Sequence, residues 1–135
     1  MKTLGLLGSV HLPGRTESVG VARAYVRLLL HVAASWDVDR VELLVSELVA
    51  NAIQHSESGR RAGGLVELVL SETGHALRVD VIDEGSVNRI PQIPEQVDPL
   101  SEGGRGLWLV AQQSSAWGWA EDQAGRVVWF EVARS

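Results

Sequence analysis

Glu47, Asn51 and His55 recur at four-residue intervals in the stretch SELVANAIQH, along the edge of an apolar helical stripe. On a wheel of about 100° per residue, Val38, Val41, Leu44, Val45, Leu48, Val49, Ala52 and Ile53 form one broad apolar arc. Glu47 and Asn51 fall just outside one edge of it, about 40° apart, and His55 continues the line into the arc. All three are expected at the seam where the helix meets its sheet. A solvated flank ending in a histidine that suits the helix dipole accounts for the same pattern. The chemistry the triplet could perform is that of a metal-bound phosphate. Mg²⁺ keeps much of its water and takes few protein oxygens, so the Asn51 carboxamide suits it without adding negative charge beside a triphosphate. Glu47, one turn earlier, could orient and deprotonate a hydroxyl or water aimed at a γ-phosphate.

Two further clusters bear on that reading. In the strand pattern ending at VIDEG, Leu77, Val79, Val81 and Asp83 share one face, which turns the Asp83 carboxylate toward the apolar side, where it needs a partner. Capping a turn would satisfy it; the exocyclic amine of adenine would be a good donor to it, and Gly85 would let backbone approach the base. The glycines of GGRGL, Gly103 to Leu107, open a helix, and a helix N-terminus behind flexible backbone is a place where phosphates bind. Such glycines are also ordinary turn chemistry, and no GxGxxG follows the first strand.

The elements that must position these groups follow from periodicity. Residues 4–12 read as an edge strand closed by Pro13-Gly14, and residues 16–34 as a helix with Thr16 or Ser18 as N-cap. A second helix starts behind Asp37 and runs to about His55; residues 56–64 form a loop. The strands LVELVLSE and ALRVDVID are joined by a turn at Thr73-Gly74. Residues 84–103, with three of the chain's four prolines, carry neither period, and a long connection of that kind is usually functional. A third helix follows from GGRGL, then a hairpin turning around residues 123–125, with Trp117 and Trp119 on one face with Val128, Phe130 and Val132 as core. The order strand-helix-helix-strand-strand-lid-helix-strand-strand predicts an α/β fold, an α+β two-layer sandwich with a mixed sheet and the helices on one face.

At 135 residues the chain is expected to be one domain, residues 1–135, with a real core. A net charge of −5 supplies no basic footprint for general nucleic-acid binding. The absence of cysteine excludes a disulfide framework and a thiolate zinc site. The N-terminal apolar run is too short and too interrupted for a secretory signal, and no stretch approaches the roughly 18 apolar residues of a membrane span, so a cytoplasmic location is expected.

Taken in order, ELVANAIQH, DEG and GGRGLWLV resemble the N box, the adenine-binding DxG box and the glycine box of the GHKL, or Bergerat-fold, ATP-binding family. The hairpin WGW…GRVVWFEV looks like that of the small actinobacterial anti-sigma regulatory factors with a serine-kinase-like ATPase domain. The resemblance spans roughly residues 14–133. It implies ATP (or ADP) and Mg²⁺ as cofactors, with Glu47 as general base and Asn51 as metal ligand. It places His55 at the phosphate end, Asp83 and Gly85 at adenine, and Gly104, Arg105, Gly106 and Leu107 along the phosphate turn, with residues 86–102 as an ATP lid. The implied function is a serine protein kinase that phosphorylates an anti-anti-sigma (STAS-type) partner and sequesters a sigma factor; a nucleotide-gated partner-switching protein without kinase activity is the alternative. Relatives of this kind commonly pair, so a homodimer belongs to the expectation. Two departures stand out: Ser86 follows Asp83-Glu84-Gly85, and the last strand, GRVVWF, has no threonine to support the adenine aspartate.

Overall fold

The computed structural model describes residues 5–31, 36–85 and 105–134. Its elements run β1 (Gly5–Pro13), α1 (Glu17–Leu30), α2 (Val38–His55), β2 (Leu65–Glu72), β3 (Ala76–Asp83), α3 (Arg105–Gln113), β4 (Ala116–Asp122) and β5 (Gly125–Ala133). The five strands form one sheet in the order β1-β2-β3-β5-β4. Their alternation buries Val66, Leu68 and Leu70 of β2, Leu77, Val79 and Val81 of β3, and Val128, Phe130 and Val132 of β5 against the helices. This is the two-layer α+β sandwich expected from the order of elements.

The pairing departs from the expected mixed sheet: every neighbouring pair is antiparallel. The connection through α3 leaves β4 running in the same sense as β3. But β5 inserts between them, so the two like-directed strands never touch. Between β1 and β2 the chain passes through α1 and α2, and it returns antiparallel without any insertion.

Helix ends follow local chemistry. The Asp37 side chain accepts from the Arg40 N–H at 3.1 Å, as expected of an N-cap. Thr16 occupies the N-cap position of α1 with helical dihedrals and makes no side-chain cap bond, while the Ser18 hydroxyl donates to the Pro13 carbonyl at 2.5 Å. The α1 helix ends at Leu30, short of the expected Ala34; residues 32–35 lie outside the described set. Trp117 packs against the core as anticipated, but Trp119, on the edge strand β4, is 37% exposed. Trp129 lies on the opposite face of the sheet beneath the Arg78 guanidinium, 4.3 Å from its ring centre. No helix of the described residues is long and apolar enough to cross a membrane.

The α1 stripe of Ser18, Ala22, Val26 and Leu30 packs on α2, and the contact is closed by an ion cluster. Glu42 is buried at the edge of the α2 arc. Its Oε1 accepts from Arg23 Nε at 2.8 Å, and Arg27 Nε stands 2.5 Å from its Oε2. Both arginines come from one face of α1, four residues apart, and each is about half exposed. Glu42→Ala is expected to lower stability by about 1.5–3 kcal/mol, the range for a charge-assisted bond, and not by more, because the exposed arginines can return to water; urea unfolding measures it.

Candidate functional site

Asp83 ends β3 on the buried face, with 3% of its surface exposed, as the alternation required. Its partner within the protein is one that the sequence pattern does not disclose. The strand register sets Arg126, the second residue of β5, directly opposite it. Arg126 Nη2 and Nε donate to Asp83 Oδ2 at 3.1 and 3.4 Å, and the Gly85 N–H donates to Oδ1 at 2.6 Å. Arg126 is itself 2% exposed, so the bridge is dry on both sides. Burial pushes the Asp83 carboxyl above its ordinary value; the Gly85 N–H and Arg126 oppose that, and Glu121 adds to it.

Two glycines make this corner possible. Gly85 has φ +79°, a left-handed conformation that a side chain would strain, and this conformation follows the bond from its N–H back to Asp83. Gly125, with φ +152°, lets β5 begin against β3: a Cβ there would lie 2.1 Å from the Asp83 carbonyl oxygen. Only Gly85 was legible as a site residue.

The Asp83–Gly85 turn is joined to the end of α2. Glu57 N–H donates to the Gly85 carbonyl at 2.8 Å, and Glu84 N–H donates to the buried Ser58 hydroxyl at 2.9 Å. That hydroxyl in turn donates to the Leu65 carbonyl at 2.6 Å, at the start of β2. The Glu84 carboxylate accepts from Arg61 Nε and from the Leu65 N–H, each at 2.7 Å, and the Arg61 bond, then the Leu65 one, holds it below the usual carboxylate range. The loop expected over residues 56–64 is thus a clasp, with a 3₁₀ turn at Glu57–Gly59, fixing α2 to the turn after β3.

Along α2, Glu47 and Asn51 are half-buried on the flank of the buried arc, as the wheel placed them, and His55, which the wheel put within the arc, is half-buried too. Glu47 lines an open basin of about 420 Å³ with Arg23, Arg27, Asp39, Glu42, Leu43 and Ser46. His55 closes the helix next to the clasp and has an interaction partner. Arg105 and Gly106 are the first two residues of α3, which packs on α2. The Leu107 side chain is 4% exposed and belongs to the core, so any part it has on the phosphate side falls to its backbone. Gly104 and the expected lid, residues 86–102, lie outside the described residues. No group of three His, Asp or Glu side chains able to hold a metal occurs among the described residues.

The two acids of the DEG turn should oppose one another in their pH dependence. Asp83, with a raised folded pKa, binds its proton more tightly folded than unfolded; its contribution is full in acid and is lost as pH rises through that raised value. Glu84, with a lowered one, contributes stability above its unfolded value that disappears as pH falls through the folded value. Unfolding measured across the acid range should lose a downward slope in Asp83→Asn and an upward slope, at more acid pH, in Glu84→Gln. Slopes lost in the opposite sense would refute the charge environments of both acids.

Residues 12–132 match the histidine kinase-like ATPase domain. The chain is 45% identical over 74 residues to blue-light-activated histidine kinase 2 of Erythrobacter litoralis, covering 54% of this chain but only 20% of that protein. It is 33% identical over 113 residues to the serine-protein kinase RsbW of Bacillus licheniformis, covering 73% of this chain and 68% of the relative. Among solved structures, the RsbU and RsbW domains of Rv1364c from Mycobacterium tuberculosis superpose with a TM-score of 0.68 over 95% of this chain and 33% of that one; at 17% identity this likeness speaks for the fold. A match spanning the sheet from the end of β1 to β5 decides the assignment: the chain belongs to the histidine kinase-like ATPase domain family.

Proposed function

We propose that the protein is an ATP- and Mg²⁺-dependent serine protein kinase of the anti-sigma type, acting on an anti-anti-sigma partner and alternately sequestering a sigma factor. The observation that carries the reading is the buried Asp83 carboxylate beside the positive-φ Gly85, within a chain whose family is an ATPase domain. The similarity to the serine-protein kinase RsbW directs the reading toward serine transfer.

The residues present fit a purine nucleotide. A carboxylate offers about four lone-pair sites, and the Asp83 bonds to Gly85 and Arg126 leave acceptor capacity for an exocyclic amine. Asn51 supplies one neutral oxygen for Mg²⁺, which suits an ion completed by water and phosphate. Bound there, the ion would neutralise phosphate charge. His55 and the start of α3, with Gly104, Arg105, Gly106 and the Leu107 backbone, bind the phosphate end. Glu47 takes the proton of the attacking serine hydroxyl as that oxygen bonds to the γ-phosphorus and the bond to the leaving diphosphate oxygen breaks. Half-burial suits Glu47 to this role, because the helix holds its carboxylate while one side faces a basin open to a second protein.

A second reading, a nucleotide-gated partner switch without phosphoryl transfer, draws on the same corner. The last strand has no threonine and presents Arg126 to Asp83, which bears on how a base would be held there.

Incubation with ATP, Mg²⁺ and a cognate anti-anti-sigma protein should give phosphoserine on the partner. Glu47→Ala should reduce its rate by about 10²–10⁴-fold, the span typical of a lost general base, while leaving the calorimetric Kd for ATP nearly unchanged. Asn51→Ala should weaken ATP binding only when Mg²⁺ is present. Nucleotide binding with no phosphoserine in any condition would favour the switch.

A further inference from the structure

We propose that Arg126 sets the base selectivity of the nucleotide site by holding Asp83 as an acceptor-only carboxylate, which takes a purine bearing an exocyclic amine and refuses one bearing a carbonyl there. The inference rests on the reading of Asp83 as the base acceptor and names the residue that decides what it accepts.

A carboxyl group can present two faces to a base. Ionised, it only accepts; protonated, it also donates. Adenine offers an N–H donor at its six position, whereas hypoxanthine and guanine offer an acceptor oxygen. The proton on Asp83 therefore decides which purine finds a complement and which meets a second acceptor. At this acid both oxygens already face donors: Oδ1 receives the Gly85 N–H, and Oδ2 receives Arg126 Nη2 and Nε. A proton on either oxygen would have to crowd one of those bonds.

The charged groups that bear on Asp83 among the described residues are Arg126 from β5 and Glu121 from β4. Glu121 and burial both favour the protonated acid. Without Arg126 the Gly85 N–H alone would oppose them, and the acid would move toward the form that can donate. Stability offers little reason for the arginine, since well-packed apolar residues often replace a dry ion pair without loss. Its place directly across the strand pair from Asp83, 2% exposed, is a specific one.

The test compares ATP with inosine triphosphate, each with Mg²⁺, by calorimetry on the full chain at pH 6 and pH 8. The wild type should prefer ATP by at least about tenfold at both, the worth of one charge-assisted hydrogen bond. In Arg126→Gln the preference should shrink markedly at pH 6 and return in part at pH 8, while Arg126→Lys keeps it. Without nucleotide, the carboxyl carbon signal of Asp83 in NMR should titrate at higher pH in Arg126→Gln than in the wild type. A glutamine variant with the wild-type preference at both pH values, or with equal loss for both nucleotides and an unmoved Asp83 titration, would overturn the proposal and leave Arg126 a packing residue. If the glutamine variant does not fold, the wild type still decides: its preference must narrow as pH falls through the Asp83 midpoint, and a preference unaffected there refutes the mechanism. A wild type that binds neither nucleotide would instead remove the reading of the site on which the inference stands.

Discussion

The bridge between Asp83 and Arg126 is the constraint around which the rest of the sheet is arranged. Two charges taken out of water are costly, and their mutual attraction offsets that cost only when geometry and hydrogen bonding are good. Both conditions hold here because the residues face each other in register on neighbouring strands and the Gly85 N–H binds the remaining oxygen. The register in turn depends on Gly125, which lets β5 start in contact with the Asp83 carbonyl. It also depends on β5 lying beside β3 in place of β4. A fold whose last hairpin docked in the opposite order would leave a buried acid with no cation.

The helical layer is fastened to this corner by polar contacts at two levels. At one end of α2, Ser58, Glu57 and Glu84 link the helix terminus, the start of β2 and the turn after β3 through hydrogen bonds with few degrees of freedom. Nearer the other end, Glu42 gathers Arg23 and Arg27 of α1. Glu47 sits between these fastenings, on a helix restrained at both ends. A general base works only within hydrogen-bond reach of its proton, so a restrained helix with one open flank is the arrangement the proposed chemistry needs. Partial exposure leaves Glu47 open to the basin beside it, and the fixed backbone holds it in place.

Much of this was legible because periodicity and burial coincide. The α2 wheel separates Glu47 and Asn51 from the arc that is in fact buried, and strand alternation turns Asp83 inward. What escaped was charge in company. Glu42 and Arg126 carry no sequence signal of burial, since a lone buried charge is prohibitive; their burial depends on partners 19 and 43 positions distant, which no local window contains. The antiparallel pairing escaped for a related reason. A helix between two strands predicts a parallel pair until a later strand enters between them, and only the tertiary register shows that it does. The Ser58 clasp looked like a loop because its order comes from hydrogen bonds and not from a hydrophobic period.

The insertion of β5 between β3 and β4 has a consequence for how the molecule is made. On the ribosome β5 emerges after the other four strands, yet its place is inside the sheet, one position in from the edge. Until it arrives, β3 presents an unpaired edge and Asp83 has no counter-ion, so the nascent base corner must stay hydrated. Closing the gap joins residues far apart in the chain, an entropically slow class of contact. Asp83 therefore stays without its strand partner until β5 begins, and a chain stalled before Arg126 would carry α1 to α3 and β1 to β4 with the Asp83 corner unfinished.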